Sequence, residues 1–454
     1  MTDPAPAAPI PQRLVLVLPT TAEFDSRTYR VASSAARRGH AVTVLARWAP
    51  GLAREELHPS GYRIVRVPVS PVDGLPLPPP VRRAIARRLR GGTAGSPAAD
   101  DASTTGGRAT TKGGTAQRTI VGRVRRAWAA TVRIVAIVLV VRAQTRASRR
   151  VDPGADVYHA MAYMGIPVAL DLARRSGGRV IYDARDIYVD ANNLARLPGP
   201  LRRVLARLER GWARRADAVV TVNRPYAEVM ASRWDLPLPR IVMNCAYRRD
   251  PVDPPVRRFH ELLALDPATA VVLYHGGLGP ERGIEQLFEA ILLVPDAVLV
   301  LLGYGPGEAA YRSRAADPAL AGRVHVLPAV PPTELLDWVA AADVVAMPIQ
   351  PTTLNHRLTT PNKLFEALAV GVPVVASDLP GMAGVVRDTG CGLLVDPADP
   401  AAIAAAIREI LEASPEERRG YRDRALHAAH STYNWESQAE HLFDLYSQLT
   451  GFAW

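Results

Sequence analysis

Two groups of residues in this 454-residue chain have the types and spacing to do chemistry. The first is the stretch Thr359 to Asp378. It reads as a polar loop, a helix start at Thr360-Pro361-Asn362-Lys363-Leu364, a glutamate one turn further in at Glu366, a stop at Gly371 and an apolar strand. Thr360 can accept from the first free backbone N–H groups, and Pro361 suits the first helical position because its missing N–H would be unpaired anyway. A helix start attracts anions. This one carries a lysine in a chain with only two, Lys112 and Lys363, against 53 arginines. That raises the question of phosphate, beside the plainer reading of a surface lysine. The second group is a set of strand-end polar residues in the first half: Asp25-Ser26-Arg27, His159, Asp183, Arg185 and Asp186. Arg27 there can hold an anion or cap a loop. A lone strand-end histidine is more often structural than catalytic, but several such groups on one rim point toward function.

The elements that must position these groups alternate between strand and helix. Arg13 to Pro19 is a short apolar run, a helical pattern closes at Gly39-His40, and Ala41 to Leu45 is the next strand. Further strands are read at Asp156–Ala160, Arg179–Asp183, Ala216–Asn223 and Ile241–Asn244, with a helix over Leu201–Arg215. After a Pro/Arg/Asp linker the pattern restarts. Ala270–His275 is a strand, Gly276-Gly277-Leu278-Gly279-Pro280-Glu281-Arg282-Gly283 a glycine-rich loop, Ile284–Val294 a helix and Ala297–Leu302 a strand. A second loop, Gly303-Tyr304-Gly305-Pro306-Gly307, and strands at Val324–Leu327 and Val344–Pro348 follow. Strand, helix, strand repeated in both halves predicts an α/β fold of two doubly wound parallel sheets, with ligands in the cleft at the strands' C-terminal ends. The expected boundaries are residues 1–246 for an N-terminal domain, 256–432 for a C-terminal domain, and 433–454 for a closing helix.

Composition narrows the function class. Two distant cysteines, Cys245 and Cys391, exclude a disulfide framework and favour a reducing compartment, and Met1–Gln12 has no basic stretch of a secretory signal. The net charge of +11 is concentrated: residues 80–150 hold 16 basic and 2 acidic residues, leaving 39 basic against 42 acidic elsewhere. A whole-surface nucleic-acid binder is therefore not expected. Residues 91–117 read as a flexible insertion and 118–150 as a basic amphipathic helix whose apolar run, Ile134–Val141, is far shorter than the roughly 20 residues that span a bilayer. That helix fits an anionic membrane surface, a buried helix with arginines reaching outward, or a nucleic-acid arm.

With these pieces in order, the chain resembles the two-Rossmann-domain (GT-B) glycosyltransferases, and more narrowly the retaining family 4. The resemblance rests on Asp25-Ser26-Arg27 with Arg38-Gly39-His40, Asp156–His159, Ile181–Asp186, Arg215–Val222, Gly276–Gly283, Leu302–Pro306, Pro361–Asp378, Gly392–Val395 and Trp435-Glu436. It implies a nucleoside diphosphate sugar held by the C-terminal domain and a lipid-linked or glycan acceptor offered by the N-terminal one. By the same resemblance Gly276, Gly277, Arg282, Gly303, Thr360, Asn362, Lys363, Leu364 and Glu366 would bind the donor. Arg282, Lys363, Glu366 and His159 would carry catalysis, and Arg27, His159, Asp183 and Arg185 the acceptor side. No metal and no cofactor beyond the sugar nucleotide are expected, and the implied location is the cytoplasmic face of the membrane. The chain departs from the family at Leu358 and Gly277, where an acid and an arginine are usual, at Met161, and at Asp183-Ala184-Arg185-Asp186. An epimerase-type enzyme on the same fold, or a non-catalytic membrane-attached member, are the competing readings.

Overall fold

Strand alternation decides which face each core residue joins. In the computed structural model, which describes residues 11–23, 25–75, 77–78, 80–81, 115–250 and 257–454, strand β1 (Arg13–Val17) sends Leu14 and Leu16 to one face and Val15 and Val17 to the other. Both faces are covered by helices, so the run is apolar throughout, as strands of buried parallel sheets are. The other strands of this sheet are β2 (Ala41–Arg47), β3 (Glu55–Leu57), β4 (Arg63–Val67), β5 (Val157–Met161), β6 (Arg179–Ala184), β7 (Ala218–Thr221) and β8 (Arg240–Ile241). Their order is β3-β4-β2-β1-β5-β6-β7-β8, parallel except for β3 against β4. The edge pair β3 and β4 is absent from the sequence reading. Its strands are short and carry Glu55, Glu56, Arg63 and Arg66, and Arg66 is buried only because Thr21 and Ala53 carbonyls and Glu56 accept from it.

The second sheet is built the same way from β9 (Ala270–Gly277), β10 (Ala297–Tyr304), β11 (Val324–Leu327), β12 (Val344–Met347), β13 (Val374–Ser377) and β14 (Gly392–Val395), ordered β11-β10-β9-β12-β13-β14 and wholly parallel. Val271 and Leu273 pack against the Asn362–Val370 helix side, and Val272 and Tyr274 against the Ile284–Ile291 side. The expectation of two doubly wound domains is met. Strand order reverses at β1/β5 in one sheet and at β9/β12 in the other, which is where such sheets bind ligands.

The last helix, Trp435–Thr450, returns to the first domain. Trp435, Ala439, Leu442, Phe443 and Tyr446 form one stripe against Leu14, Leu16 and Val31, and the Trp435 indole donates to Ser34 Oγ at 2.9 Å. Of the insertion, residues 91–114 lie outside the described residues. The helix after it runs Thr115–Ser148, and its end is packed into the domain: Val141, Ala143, Gln144 and Ser148 are buried, with Gln144 donating to the Leu18 carbonyl. Val141, Ala143, Gln144 and Ser148 are thus core residues, whereas Arg142 in the same stretch is exposed. Among the described residues no helix is long and apolar enough to cross a membrane.

One buried acid makes stability pH-dependent. Glu209, on the Gly199–Ala213 helix, accepts from the Tyr182 hydroxyl at 2.7 Å, and burial pushes its carboxyl up to about 7. A raised folded-state value means the unfolded chain ionises first. Stability is therefore highest in acid with respect to this group and falls between about pH 4.3 and 7, by roughly 3 kcal/mol. Glu209→Gln removes this loss. The variant is expected to melt higher than the parent at pH 8, with the gap closing at pH 5 in thermal scans.

Candidate active site

The site lies where the strand order of the second sheet reverses. β9 ends in His275-Gly276-Gly277, and Gly276 takes φ +107°, a left-handed value that favours glycine. The neighbouring loop passes so close that a Cβ on Gly303 would stand 1.9 Å from the Gly276 carbonyl oxygen. Glycines in two loops therefore bring backbone to the mouth of the cleft.

The Asn362–Val370 helix points its start at the same place. Here the structure corrects the sequence reading. Pro361, in extended conformation, occupies the cap position and Asn362 is the first helical residue. Thr360 does not cap the helix: its hydroxyl donates to the Gly381 carbonyl and accepts from Asn223 Nδ2. The helix start thus has no side-chain cap, which leaves its first N–H groups available to a ligand. Leu364 is a fully buried core residue of this helix, and Gly371 ends it in the left-handed region as expected.

Lys363 is nine-tenths buried, its Nζ 3.5 Å from the centre of the Tyr274 ring, with no hydrogen bond or ion pair among the described residues. Burial, and then the Arg282 guanidinium, hold its ammonium well below the ordinary lysine range, with Glu366 opposing. Arg282, in the first glycine loop, likewise has no hydrogen-bonded or ion-paired partner among the described residues. Its charge also acts, after burial, to lower His356. Two cations close enough to repel, with no hydrogen bond or salt bridge to a carboxylate among the described residues, suit a multivalent anion. Glu366, one turn on, accepts from His275 Nε2 at 2.9 Å and lies 3.9 Å from Arg30. Burial would raise its carboxyl, but His275, Arg30 and Lys363 outweigh it and hold the group below the usual range.

The domains meet across this site through directed polar contacts. Asn355 accepts from the Ile187 N–H at 2.7 Å and donates to Asp186 at 2.9 Å, and Asn223 donates to the Leu358 carbonyl. Asn244 donates to Asn362 Oδ1 at 2.9 Å and accepts from Arg30 at 2.7 Å. Leu358, where an acid was looked for, packs its side chain against the N-terminal domain's apolar cluster. Gly277 is exposed, with no arginine to add to Arg282.

The acceptor-side residues divide. Arg185 reaches Asp25 at 2.7 Å near the cleft rim, and Asp186 is raised by burial. Arg27, His159 and Asp183 are brought together but enclosed, each with no exposed surface. Arg27 donates to both Asp183 oxygens, at 2.8 and 3.2 Å, and to the Val242 carbonyl. Burial would raise the Asp183 carboxyl, but Arg27 and His159 hold it far below the carboxylate range, so it accepts only. His159 Nε2 must then donate to Asp183, at 3.1 Å, leaving Nδ1 to accept from the Tyr446 hydroxyl at 2.7 Å. In this arrangement His159 is a neutral, doubly bonded group inside the domain, and the expectation that it and Arg27 line an open rim is not what the geometry shows. Residues the sequence reading missed are Arg30, His275, Asn355 and His356. The signals were present: His275 ends the strand before the glycine loop, and Arg30 lies one turn after Arg27.

Residues 269–413 match the model of the family described as Glycosyl transferases group 1. The C-terminal domain belongs to that family. Of the related sequences, a D-inositol 3-phosphate glycosyltransferase of Xylanimonas cellulosilytica is 32% identical over 267 residues, 56% of this chain and 62% of its own length. The chain thus spans less than two thirds of that relative. A GDP-mannose-dependent alpha-(1-6)-phosphatidylinositol monomannoside mannosyltransferase of Mycolicibacterium smegmatis is 29% identical, covering 62% of this chain and 74% of the relative. Among solved structures, sucrose-phosphate synthase of Thermosynechococcus elongatus superposes with a TM-score of 0.68 at 20% identity, covering 97% of this chain and 99% of that one. The fold is that of the GT-B glycosyltransferases. In this group 1 domain, among the described residues, no three His, Cys, Asp or Glu side chains stand together as a metal-ligand set.

Proposed function

We propose that the protein is a retaining glycosyltransferase that moves a sugar from a nucleoside diphosphate sugar to an acceptor at the membrane surface, without a metal. The observation that carries this is a pair of cations, Arg282 in the first glycine loop and Lys363 at an uncapped helix start, neither with a hydrogen bond or salt bridge among the described residues. They lie where a diphosphate's charge grows as the sugar–phosphate bond breaks. The C1–O bond to the diphosphate breaks with its electron pair going to the leaving oxygen. The acceptor hydroxyl forms the new bond on the same face of the sugar, and its proton passes to the departing phosphate, so no side-chain base is required. Fixed cations and backbone N–H groups stabilise that state more than the ground state. Glu366, with His275 and Arg30 behind it, would accept from the ribose hydroxyls. The names of the two relatives favour an acceptor bearing an inositol phosphate, lipid-linked or free, and the same proposal places the site of action at the cytoplasmic face of the membrane.

The depressed lysine supplies the test. A bound diphosphate raises Lys363 back toward its ordinary value, so at a pH between its free and bound values binding takes up a proton and weakens as pH rises. Calorimetry of a panel of nucleoside diphosphates in buffers of different ionisation heat should show net uptake. Absence of binding by every member of the panel would refute the donor site, and binding with no uptake would refute the role of Lys363.

A further inference from the structure

An apolar groove of about 430 Å³ opens on the N-terminal domain, away from the diphosphate site, between the Thr115–Ser148 helix and the Ala162–Ser176 and Gly199–Ala213 helices. That volume is in the range of roughly 300–1,000 Å³ that holds small molecules. Its walls are Ile137, Val138 and Val141 on one side and Met164, Leu208 and Trp212 on the other. On its edge Arg142 and Arg174 are exposed and have no hydrogen bond or ion pair among the described residues. Arg149, by contrast, is taken by Asp171 through two contacts.

The apolar lining continues onto the outer surface. Val135 is 51% exposed and shares the helix stripe of Val138 and Arg142, at spacings of three and four residues. Across the groove Val204 and Leu208 are 44% and 37% exposed, and between and beside them stand Arg203 and Arg207, exposed and unpaired among the described residues. Two helices from separate parts of the chain thus present exposed aliphatic residues flanked by free arginines on either side of one apolar slot.

We propose that this groove takes one acyl chain of an anionic phospholipid, with Arg142 and Arg174 holding the phosphate of its headgroup. Charge complementarity selects that occupant. A neutral apolar ligand would use the slot and leave the arginines idle, whereas a membrane lipid uses both, and the flanking arginines add attraction to the anionic surface. This extends the membrane-surface part of the proposed function by giving it a built site, and it stands apart from the sugar-transfer part. Tyr163, which also lines the groove, has its ring 5.1 Å from that of Tyr188.

The full-length protein should float with vesicles containing phosphatidylglycerol and bind pure phosphatidylcholine vesicles far more weakly. Leu208→Glu combined with Val135→Glu, both at exposed positions and so compatible with folding, should weaken binding by about tenfold or more, because charge is placed where apolar surface enters the bilayer. Arg142→Gln and Arg174→Gln should each lose about fivefold on anionic vesicles. Phospholipid brominated on the acyl chain should quench tryptophan fluorescence, and Trp212→Phe should remove part of that quenching while binding persists. Parent-like binding by the Val135/Leu208 variant, or unchanged quenching in Trp212→Phe, would overturn the groove and leave attachment to the basic segment alone. Nucleoside diphosphate binding, measured in the same variants, should be unaltered, so failure here is separable from failure of the donor site.

Discussion

Lys363→Met should lower the rate of sugar transfer by on the order of 10²–10³ while leaving the melting temperature unchanged or higher. The two halves of this expectation have one cause. The ammonium is buried against the Tyr274 ring beside Arg282, and its proton is held less tightly than in water. With the folded-state value lowered, the unfolded chain binds more protons, so the lysine lowers stability at neutral pH and its contribution improves only as pH rises. Methionine keeps the volume and removes the charge, which relieves the folded protein. During reaction the same charge faces a diphosphate whose negative charge is increasing, and no water can replace it in a nine-tenths buried position. Arginine is not an equivalent replacement, since its charge is spread over a larger planar fork than the compact ammonium that this buried position holds. Arg282→Gln should fall similarly in rate. Transfer at the parental rate by Lys363→Met would remove the diphosphate clamp from the mechanism, and a collapse in melting temperature would show the lysine to be structural.

How much of this was legible in sequence follows from the range of each interaction. Apolar runs and glycine stops are local, so β1, β9, β10, β12 and the Asn362–Val370 helix could be read directly, and with them the two sheets. Lys363 could be read because its surroundings, a helix start and a turn to Glu366, lie within a few residues. Thr360 could not: its hydroxyl is claimed by Asn223 and Gly381, partners 137 and 21 residues away. The same holds for Arg30, which meets Asn244, 214 residues away, only once the first domain is folded, and Glu366 only across the cleft. The strand pattern put His159 and Asp183 on neighbouring strands, β5 and β6. Whether a rim group faces the cleft or the interior depends on Trp435 and Tyr446, supplied by the last helix.

The enclosed network is where the largest stability effect is expected. Arg27→Met should destabilise the protein by about 3–5 kcal/mol, because it leaves Asp183 buried with His159 as its remaining side-chain partner. The double variant Arg27→Met/Asp183→Asn should recover much of that loss, since an asparagine oxygen still accepts from His159 Nε2 and no unpaired charge remains. Denaturant unfolding of the single and double variants measures the coupling. A loss under about 1 kcal/mol in Arg27→Met would mean that the pair does not hold the domain together. The parent should also be sensitive to acid. His159 is lowered by burial, so the unfolded chain protonates first as pH drops below about 6.5, and Asp183, depressed by Arg27, adds to the loss below about pH 4. Arg27 bonds the Val242 carbonyl after β8, His159 is on β5, Asp183 on β6, and Tyr446 on the closing helix. Breaking the pair should therefore loosen the closing helix first, seen as faster amide exchange in residues 435–450. With that helix goes its grip on the Ser26–Arg37 helix, which carries Arg30 to Glu366. A residue with no exposed surface would then lower donor affinity without touching the donor.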